Sequence, residues 1–368
     1  MLLAMKNWGN CPWTIDFHAT KRELPRSVDF AVVGGGFTGL AAAAWLKHLA
    51  PQKSVALFES ESFGAGSSGH TGGVVLAETA TGDLPGLGDV LAGYQNILRT
   101  LDVQADLSLP GVYELGRTAP LPDSPIRWDD SGQLCATKAV PGGTIDAGKT
   151  VSGLARAAER SGALLFEHAA VDNAAFTPSV ELRTKLGILA AHHVLFATNA
   201  FSLELTHLDK RAQSAFTLAI ATEPLSPSVL SEIGLAERKP FYTVDLPYLW
   251  GRLFGDSVIF GSGLVFPGDW RKLTEIDVTQ GQPEDLLALL QKRIHGFHPA
   301  LQNVNFTHRW GGPICIAEEW KPVFEFHRAS RNAIILGAYS GHGVAQSVYL
   351  GAWAAEALLG KRELPSWK

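Results

Sequence analysis

The sequence has few cysteines, and they are far apart. Only Cys11, Cys135 and Cys315 occur in 368 residues. An odd number of widely spaced cysteines argues against a disulfide framework and against a cysteine zinc site. No pair of histidines has a third ligand beside it, so we expect no metal. These features predict a reducing, cytoplasmic location.

Positive charge is also scarce. Lysine and arginine total 31 against 36 acidic residues, and no basic run occurs, which argues against a nucleic-acid partner. No apolar run approaches the ~18 residues that a membrane span needs. The first dozen residues already contain Trp, Gly, Asn and Pro, too early for the apolar core of a signal peptide. We therefore expect neither a nucleic acid nor a membrane span.

The sequence does contain a glycine-rich turn between two predicted elements. Residues 28–33, VDFAVV, form a short apolar run that is typical of a buried strand. A helix is predicted over residues 40–46, with Pro51 ending it. Residues 54–59, SVALFE, predict a second buried strand. The three elements together indicate a βαβ unit with parallel strands.

The turn has the spacing of a dinucleotide-binding fingerprint, Gly34-x-Gly36-x-x-Gly39. Gly34 permits a tight turn, Gly36 lets a pyrophosphate approach the backbone, and Gly39 lets the helix pack closely on the strand. The phosphates would bind at the helix N-terminus. Glu59, about 20 residues further on, is placed to accept hydrogen bonds from a ribose and would repel a 2′-phosphate. The motif leaves NAD and FAD as alternatives.

The rest of the chain mixes strand and helix patterns. Residues 1–27 predict an irregular segment along the surface, and residues 60–90 are rich in Gly, Ser and Thr. The further predicted elements are short antiparallel strands in 110–145, a helix over 150–163, strands at 164–167 and 193–197, β structure in 215–265, a helix over 284–297, a strand at 332–337 and a turn with a helix over 341–359.

Several longer motifs resemble the D-amino-acid-oxidase-like flavoprotein superfamily. They are VVGGGFTGLAAAAWL, LFE, FGAGSSGHTGG, GTIDAGKTVSGLARAAERSGALLFEHAAV, LFATNAF, HRWGGPICIAEEWKPVFE and NAIILGAYSGHGVAQSVYLGAWAAEALLG. They span nearly the whole chain in the family's order, and they are most similar to the γ-glutamylputrescine oxidase branch, beside glycine and sarcosine oxidases. The resemblance implies FAD as the cofactor.

The implied fold is α/β (α+β), with a Rossmann-like FAD-binding domain and a β-rich substrate domain, both discontinuous in sequence. The resemblance assigns residues 28–95, 146–212 and 313–368 to the FAD-binding domain. It assigns residues 96–145 and 213–312 to the substrate domain.

The fingerprint and the resemblance together imply a set of FAD-binding residues. Val171 matches a position whose backbone pairs with the adenine, and residues 341–344 match a turn that faces the flavin ring. A helix N-terminus at that turn would stabilise reduced, anionic flavin. The implied set is Gly34, Gly36, Phe37, Thr38, Gly39, Glu59, Ser60, Ser67, Ser68, His70, Thr71, Gly72, Val171, Thr198, Gly337, Gly341, His342, Gly343 and Val344.

Departures from the family pattern bear on the chemistry. Ile314 stands where many relatives have an arginine for a substrate carboxylate, so either Arg252 or Arg309 replaces that anchor or the substrate lacks the carboxylate. Leu264 stands where sarcosine oxidases have a lysine that speeds the reaction with oxygen, so the electron acceptor is oxygen or another carrier.

Two residues match positions that carry covalent flavin in relatives. His70 matches a histidine and Cys315 a cysteine of this kind, so each is a possible tether. Each residue also has a simpler interpretation. A buried cysteine commonly serves only to pack the core, and a histidine near phosphates commonly serves only as a hydrogen-bond donor.

The implied reaction oxidises the C–N bond of an amine or amino acid. Hydride passes to flavin N5, and the resulting imine hydrolyses. Candidate catalytic or substrate-contacting residues are His342, Arg252, Tyr248 and Trp250, with Tyr242 and Trp320 as further aromatic candidates. Two alternatives stay open, a flavin dehydrogenase of a C–O substrate and a non-catalytic FAD-fold subunit of a larger complex.

Overall fold

The computed structural model describes residues 6–367 of the chain. The described part contains α-helices and two short 3₁₀ helices, the latter at Trp270–Glu275 and Pro299–Leu301. The α-helices are α1 (Phe37–Leu49), α2 (Ser67–His70), α3 (Val90–Thr100), α4 (Ala147–Arg160), α5 (Pro227–Glu232), α6 (Gly281–Phe297) and α7 (Gly343–Leu358).

The strands form two large sheets and one small one. They are β1 (Ser27–Val33), β2 (Val55–Phe58), β3 (Val74–Leu76), β4 (Val112–Gly116), β5 (Arg127–Asp129), β6 (Gln133–Val140), β7 (Gly142–Thr144), β8 (Leu164–Phe166), β9 (Val171–Phe176), β10 (Val180–Thr184), β11 (Gly187–Phe196), β12 (Ala212–Thr222), β13 (Phe241–Thr243), β14 (Trp250–Phe254), β15 (Ser257–Val265), β16 (Phe306–Ala317), β17 (Val323–His327) and β18 (Ser330–Gly337).

The first large sheet has the strand order β17-β18-β11-β1-β2-β8, and the β9–β10 hairpin is attached to β11. Strands β18, β11, β1, β2 and β8 are parallel. The last four residues of β1 are buried, as expected for a parallel strand that is covered on both faces. The predicted βαβ unit is confirmed, with α1 packed against α4 and α7.

The second large sheet has the order β16-β12-β15-β14-β13-β4-β6-β5 and is antiparallel except between β13 and β4. Helix α6 packs on it through Leu287, Leu290 and Ile294, which are buried as the sequence predicts. The Phe297 ring at the end of α6 stacks on the Trp128 ring of strand β5, with ring centroids 5.2 Å apart. The mixed α/β architecture is confirmed, and the small β3–β7 sheet completes it.

Helix α4 begins earlier than its spacing predicts. The prediction starts at Thr150, but the helix starts at Ala147 because Asp146 caps it. The Asp146 carboxylate accepts a hydrogen bond from the Lys149 backbone N–H at 2.8 Å. Such a cap satisfies one of the free N–H groups of the first turn. The apolar pattern alone does not show this start.

The N-terminal segment is irregular as predicted, but it does not simply follow the surface. Trp8, Trp13 and Phe17 are buried. The Trp13 indole donates to the Gly69 carbonyl at 2.8 Å, and the Trp8 indole donates to the Leu273 carbonyl at 2.9 Å. The segment therefore joins the core beside α2. Residues 1–5 of the predicted segment lie outside the described residues.

Sequence patterns also missed several elements, among them α3, α5, β3, the β9–β10 hairpin, β16 and β17. No helix in the described chain combines the length and hydropathy that a membrane crossing requires. Within residues 6–367, no three His, Cys, Asp or Glu side chains come together as metal ligands.

Candidate functional site

A cavity of about 1470 Å³ is lined by residues of both large sheets. Typical small-molecule pockets have volumes of roughly 300–1,000 Å³, so this one has room for more than a small substrate. The residues predicted to bind FAD line it with two exceptions, Gly39 and Gly337, which stand directly behind the wall. The structure thus brings together segments that are up to about 300 positions apart in the sequence.

The glycine turn is as compact as the fingerprint predicts. Gly34 has φ +112°, and a Cβ there would lie 2.5 Å from the Ala197 carbonyl oxygen. A Cβ at Gly39 would lie 1.9 Å from the Gly34 carbonyl oxygen, so helix α1 rests directly on the turn. Gly36 is the N-cap of α1 and supplies no capping side chain. The backbone is therefore open to a ligand at this point.

Glu59 follows β2 and is held by main-chain amides. One carboxylate oxygen accepts from the Gly35 N–H at 2.8 Å. The other accepts from the Glu61 N–H and from the Ser60 hydroxyl, each at 2.9 Å. These bonds orient the carboxylate at the cavity wall, directly beside the glycine turn.

The loop around α2 is tied to the ends of three other segments. The Phe37 N–H donates to the Ser68 hydroxyl at 2.9 Å, and the Asn199 amide donates to the Ser67 hydroxyl at 3.0 Å. The Asn199 side-chain oxygen also accepts from the Ala338 N–H at 3.0 Å. Asn199, at the end of β11, therefore joins the loop to the end of β18. Its left-handed backbone, φ +50°, marks a tight strand end.

Helices α1 and α7 both begin at the cavity without a capping side chain. The first N–H groups of such helices are left without intrahelical partners. Gly341, just before α7, has φ +88° and open space where a Cβ would stand. The Thr198 hydroxyl is buried at the wall and has no partner. The Phe37 N–H of α1 already bonds to Ser68. The other N–H groups of the two first turns and the Thr198 hydroxyl fit an anionic, hydrogen-bonding ligand that spans both helix termini.

His70 lies at the cavity wall with its ring against Trp8. Its Nδ1 is 2.8 Å from the Gly66 carbonyl oxygen, and burial lowers the pKa of the imidazole to about 4. The ring is therefore neutral near neutral pH, with Nε2 left for another contact. Cys315 also lines the cavity, and burial raises the pKa of its thiol to about 12. A thiol at such a pKa is a poor nucleophile.

The inner cavity has an aromatic wall. Tyr242 and Trp250 line it, and the Trp250 indole fits between two glycines. A Cβ added at Gly72 or at Gly261 would lie 2.0 Å from the indole ring. His342 also lines the cavity, and burial lowers the pKa of its imidazole. The wall is therefore made of the uncharged rings of Tyr242 and Trp250, with His342 also at the cavity.

The Tyr242 hydroxyl contacts two carboxylates behind this wall. Its oxygen is 3.0 Å from Glu78 and 3.1 Å from Glu114. Burial and the two carboxylates raise the pKa of Tyr242 well above its ordinary value. Lys138 pairs with Glu114 at 3.1 Å. Nothing in the local sequence indicated this cluster, because its members are far apart in the chain.

Arg252 does not line the cavity. It is 4% exposed and donates to the carbonyls of Gly73 and Ile145. The structure therefore places this candidate behind the wall, where it supports the loop after α2 and does not line the cavity. Arg309, the other proposed replacement, also lies off the wall and is exposed, and it donates to Gln291 at 2.6 Å.

The remaining candidates lie at the cavity. Tyr248, Leu264, Ile314 and Trp320 are all lining residues. Arg293 of α6 lines it as well and was not among the candidates. Its position on a predicted amphipathic helix was the only signal, and such a charge ordinarily faces solvent.

Comparison with known proteins decides the family. The family described as "FAD dependent oxidoreductase" (DAO) matches residues 29–357. The chain belongs to this family. It is an FAD-dependent oxidoreductase, and the predicted cofactor is thereby confirmed.

Individual relatives are similar along most of their length. Gamma-glutamylputrescine oxidoreductase from Escherichia coli (strain K12) is 26% identical, with 91% of this chain and 84% of the relative covered. The structure of glycine oxidase from Geobacillus kaustophilus has a TM-score of 0.71 at 18% identity, covering 92% of this chain and 96% of that one. L-proline dehydrogenase from P. horikoshii has a TM-score of 0.72 at 18% identity, covering 93% and 96%. The two structures share this fold.

Proposed function

We propose that this flavoprotein oxidises the C–N bond of an amine or amino acid to an imine, which hydrolyses. The observation that carries the proposal is one continuous cavity, with two helix N-termini at one part and an aromatic wall at another. Bound FAD supplies the hydride acceptor for this chemistry. The relatives support the proposal, since their names refer to nitrogen-bearing substrates.

The proposed FAD site uses the residues predicted from the sequence. The start of α1 and the Ser67–Gly72 loop would hold the pyrophosphate, Glu59 would accept from the ribose, and Val171 would face the adenine. The start of α7 would stabilise negative charge on the reduced cofactor, because the N-terminal end of a helix dipole is positive.

The protein's part in the reaction is to orient the amine and exclude water. Tyr242 and Trp250 form a neutral wall for this purpose, and His342 stands at the start of α7. No charged base is required if the amine binds deprotonated, because the neutral amine's own lone pair assists the loss of hydride. The substrate's reacting carbon must come within about 3–3.5 Å of the acceptor atom.

We propose a division into two domains. Its boundary at 95/96 falls within helix α3, Val90–Thr100. The Rossmann-like FAD-binding domain would comprise residues 28–95, 146–212 and 313–368, and the substrate domain would comprise 96–145 and 213–312. Strand β16 belongs to the second sheet and runs on to Ala317, past the boundary at 312/313.

For the location of the protein in the cell, we propose a reducing, cytoplasmic compartment, which the three free thiols support.

The deciding experiment is anaerobic. FAD-loaded protein is mixed with a panel of amines and amino acids, and bleaching of the flavin absorbance is followed together with release of ammonia or amine. We expect bleaching and release with at least one amine. Bleaching only by hydroxy acids would establish the C–O dehydrogenase instead, and a flavin that no substrate bleaches would establish the non-catalytic subunit.

A second measurement identifies the electron acceptor. The rate at which the reduced flavin is reoxidised in air is compared with its rate of reoxidation by a quinone.

A further inference from the structure

Large apolar side chains surround the mouth of the cavity and face solvent. Leu246, Leu289, Tyr248 and Leu264 all line the cavity and are 85%, 61%, 42% and 39% exposed. We call these four residues the apolar rim. Exposed apolar side chains that adjoin a groove mark a surface that binds something.

Direct contacts join the three segments that carry the apolar rim. The Ser262 hydroxyl of β15 donates to the Tyr248 carbonyl. Arg293 lies one turn after the rim leucine of α6 and donates to the Pro247 carbonyl at 2.9 Å. The loop before β14, the end of β15 and helix α6 therefore form one continuous edge.

The charges beside the apolar rim neutralise one another. Arg293 makes two hydrogen bonds to Asp130, at 3.0 and 2.6 Å. Arg117 bridges Asp130 at 2.8 Å and also pairs with Asp245. These two arginines and two aspartates leave no net charge among themselves, so this cluster beside the apolar rim presents paired ions to a ligand.

We propose that the apolar rim binds an uncharged alkyl or aryl arm of the substrate, so that the enzyme prefers amines with an apolar substituent and no second charge. This inference rests on the proposed function. The apolar rim and the aromatic wall line the same cavity. An amine whose reacting carbon lies at the aromatic wall would extend its substituent along the apolar rim.

The first test compares two series of probes. Primary n-alkylamines from butylamine to octylamine are compared with α,ω-diamines of equal length in anaerobic flavin reduction. We expect the limiting rate of flavin reduction divided by the dissociation constant of the amine to rise by up to about fourfold per added methylene in the alkylamines. The diamines should lack that rise, because their second ammonium must lose water without gaining a partner. Diamines that match the alkylamines would overturn the inference.

The second test changes the apolar rim itself. The double variant L246S/L289S should flatten the chain-length dependence through the dissociation constant of the amine, with the limiting rate of flavin reduction retained. Leu186→Ser is the matched control, because Leu186 is 47% exposed and lies outside the cavity, and it should keep the wild-type dependence. Both leucines are exposed, so FAD content should be unchanged.

Other outcomes identify other occupants. An unchanged chain-length dependence in L246S/L289S overturns the inference. If that variant instead slows reoxidation by a quinone, the apolar rim serves the electron acceptor and not the substrate. If no amine bleaches wild-type enzyme at all, the proposed function fails and this inference fails with it, whereas bleaching by polar amines alone removes only the inference.

Discussion

The indole of Trp250 lies directly against Gly72, so that a methyl group at Gly72 would come within 2.0 Å of the ring. Gly261 confines the other part of the ring in the same way. The indole is therefore held between the two glycines. This packing joins strand β14 to the loop after α2, which the proposed FAD site uses.

Gly72→Ala should therefore destabilise the protein by about 1–3 kcal/mol, the usual effect of overpacking. Chemical denaturation measures the free energy of unfolding, and the flavin absorbance per protein measures the FAD content. Repeating the substitution in a Trp250→Leu background is the control, because a smaller side chain leaves room for the methyl group. An equal loss in both backgrounds would show that the indole is not the cause.

A second substitution tests the glycine turn. Gly39→Ala would place its Cβ 1.9 Å from the Gly34 carbonyl oxygen, and a main-chain atom cannot rotate away. We expect α1 to shift off the turn and the purified protein to lose most of its FAD. Gly296→Ala is the matched control, because nothing lies within 4 Å of its Cβ position and it stands in helix α6. That control should keep its FAD and gain up to about 1 kcal/mol in stability.

The sequence predicted the elements whose signals are local. The strand, turn and helix around Gly34 were predicted because apolar runs and glycine spacing act over a few residues. The start of α4 was predicted too late, because the helix begins after the cap residue Asp146 and not at the first apolar position of the pattern. Helix α3 was missed although Asp89 caps it in the same way, because its apolar residues follow a glycine-rich stretch.

The parts of the site that depend on tertiary packing were not predictable in this way. Tyr242 meets Glu78 across 164 positions, and Trp250 meets Gly72 across a similar separation. The family resemblance supplied the cofactor residues, but it also suggested Arg252 as a substrate anchor. An arginine on a strand near aromatic residues gives no local sign of which carbonyls its guanidinium will reach.

Substitution of Arg252 distinguishes support of the loop from substrate binding. Its guanidinium donates to two main-chain carbonyls, and the Gly73 carbonyl also accepts from the Ile145 N–H. Arg252→Met should therefore leave the Ile145 carbonyl unsatisfied and lower the stability by about 1.5–3 kcal/mol. Arg252→Lys should recover part of that loss. Steady-state kinetics should show no selective effect on substrates that carry a carboxylate. A KM that rises for those substrates alone would restore Arg252 as their anchor.

Cys315→Ser should leave the attachment of FAD unchanged. The thiol is 1% exposed and its pKa is raised to about 12, so it lacks the thiolate that a tether requires. Acid precipitation separates bound from released flavin, and the coloured fraction in the pellet should be the same in the variant and in wild type. Colour that moves to the supernatant only in Cys315→Ser would identify this cysteine as the tether, and the same assay on His70→Gln examines the other candidate.

The stability of the protein should fall as the pH drops from 6.5 towards 4, and His70 should contribute to that loss. Burial lowers the pKa of His70 from its ordinary value of 6.5 to about 4, so the folded protein keeps the ring neutral while the unfolded chain takes up a proton. The unfolded state then binds more protons in this window, and the free energy of unfolding decreases with falling pH by up to about 3 kcal/mol.

His70→Gln isolates this contribution. Denaturation of the variant at several pH values between 4 and 7 should give a shallower dependence than wild type. The dependence should not vanish, because burial also lowers the pKa values of His193, His327 and His342. His192→Gln is the control, since His192 is exposed and neighbours one of these histidines. If His192→Gln flattens the profile as much as His70→Gln, the effect does not come from the cavity wall, and the neutral ring assigned to His70 is wrong.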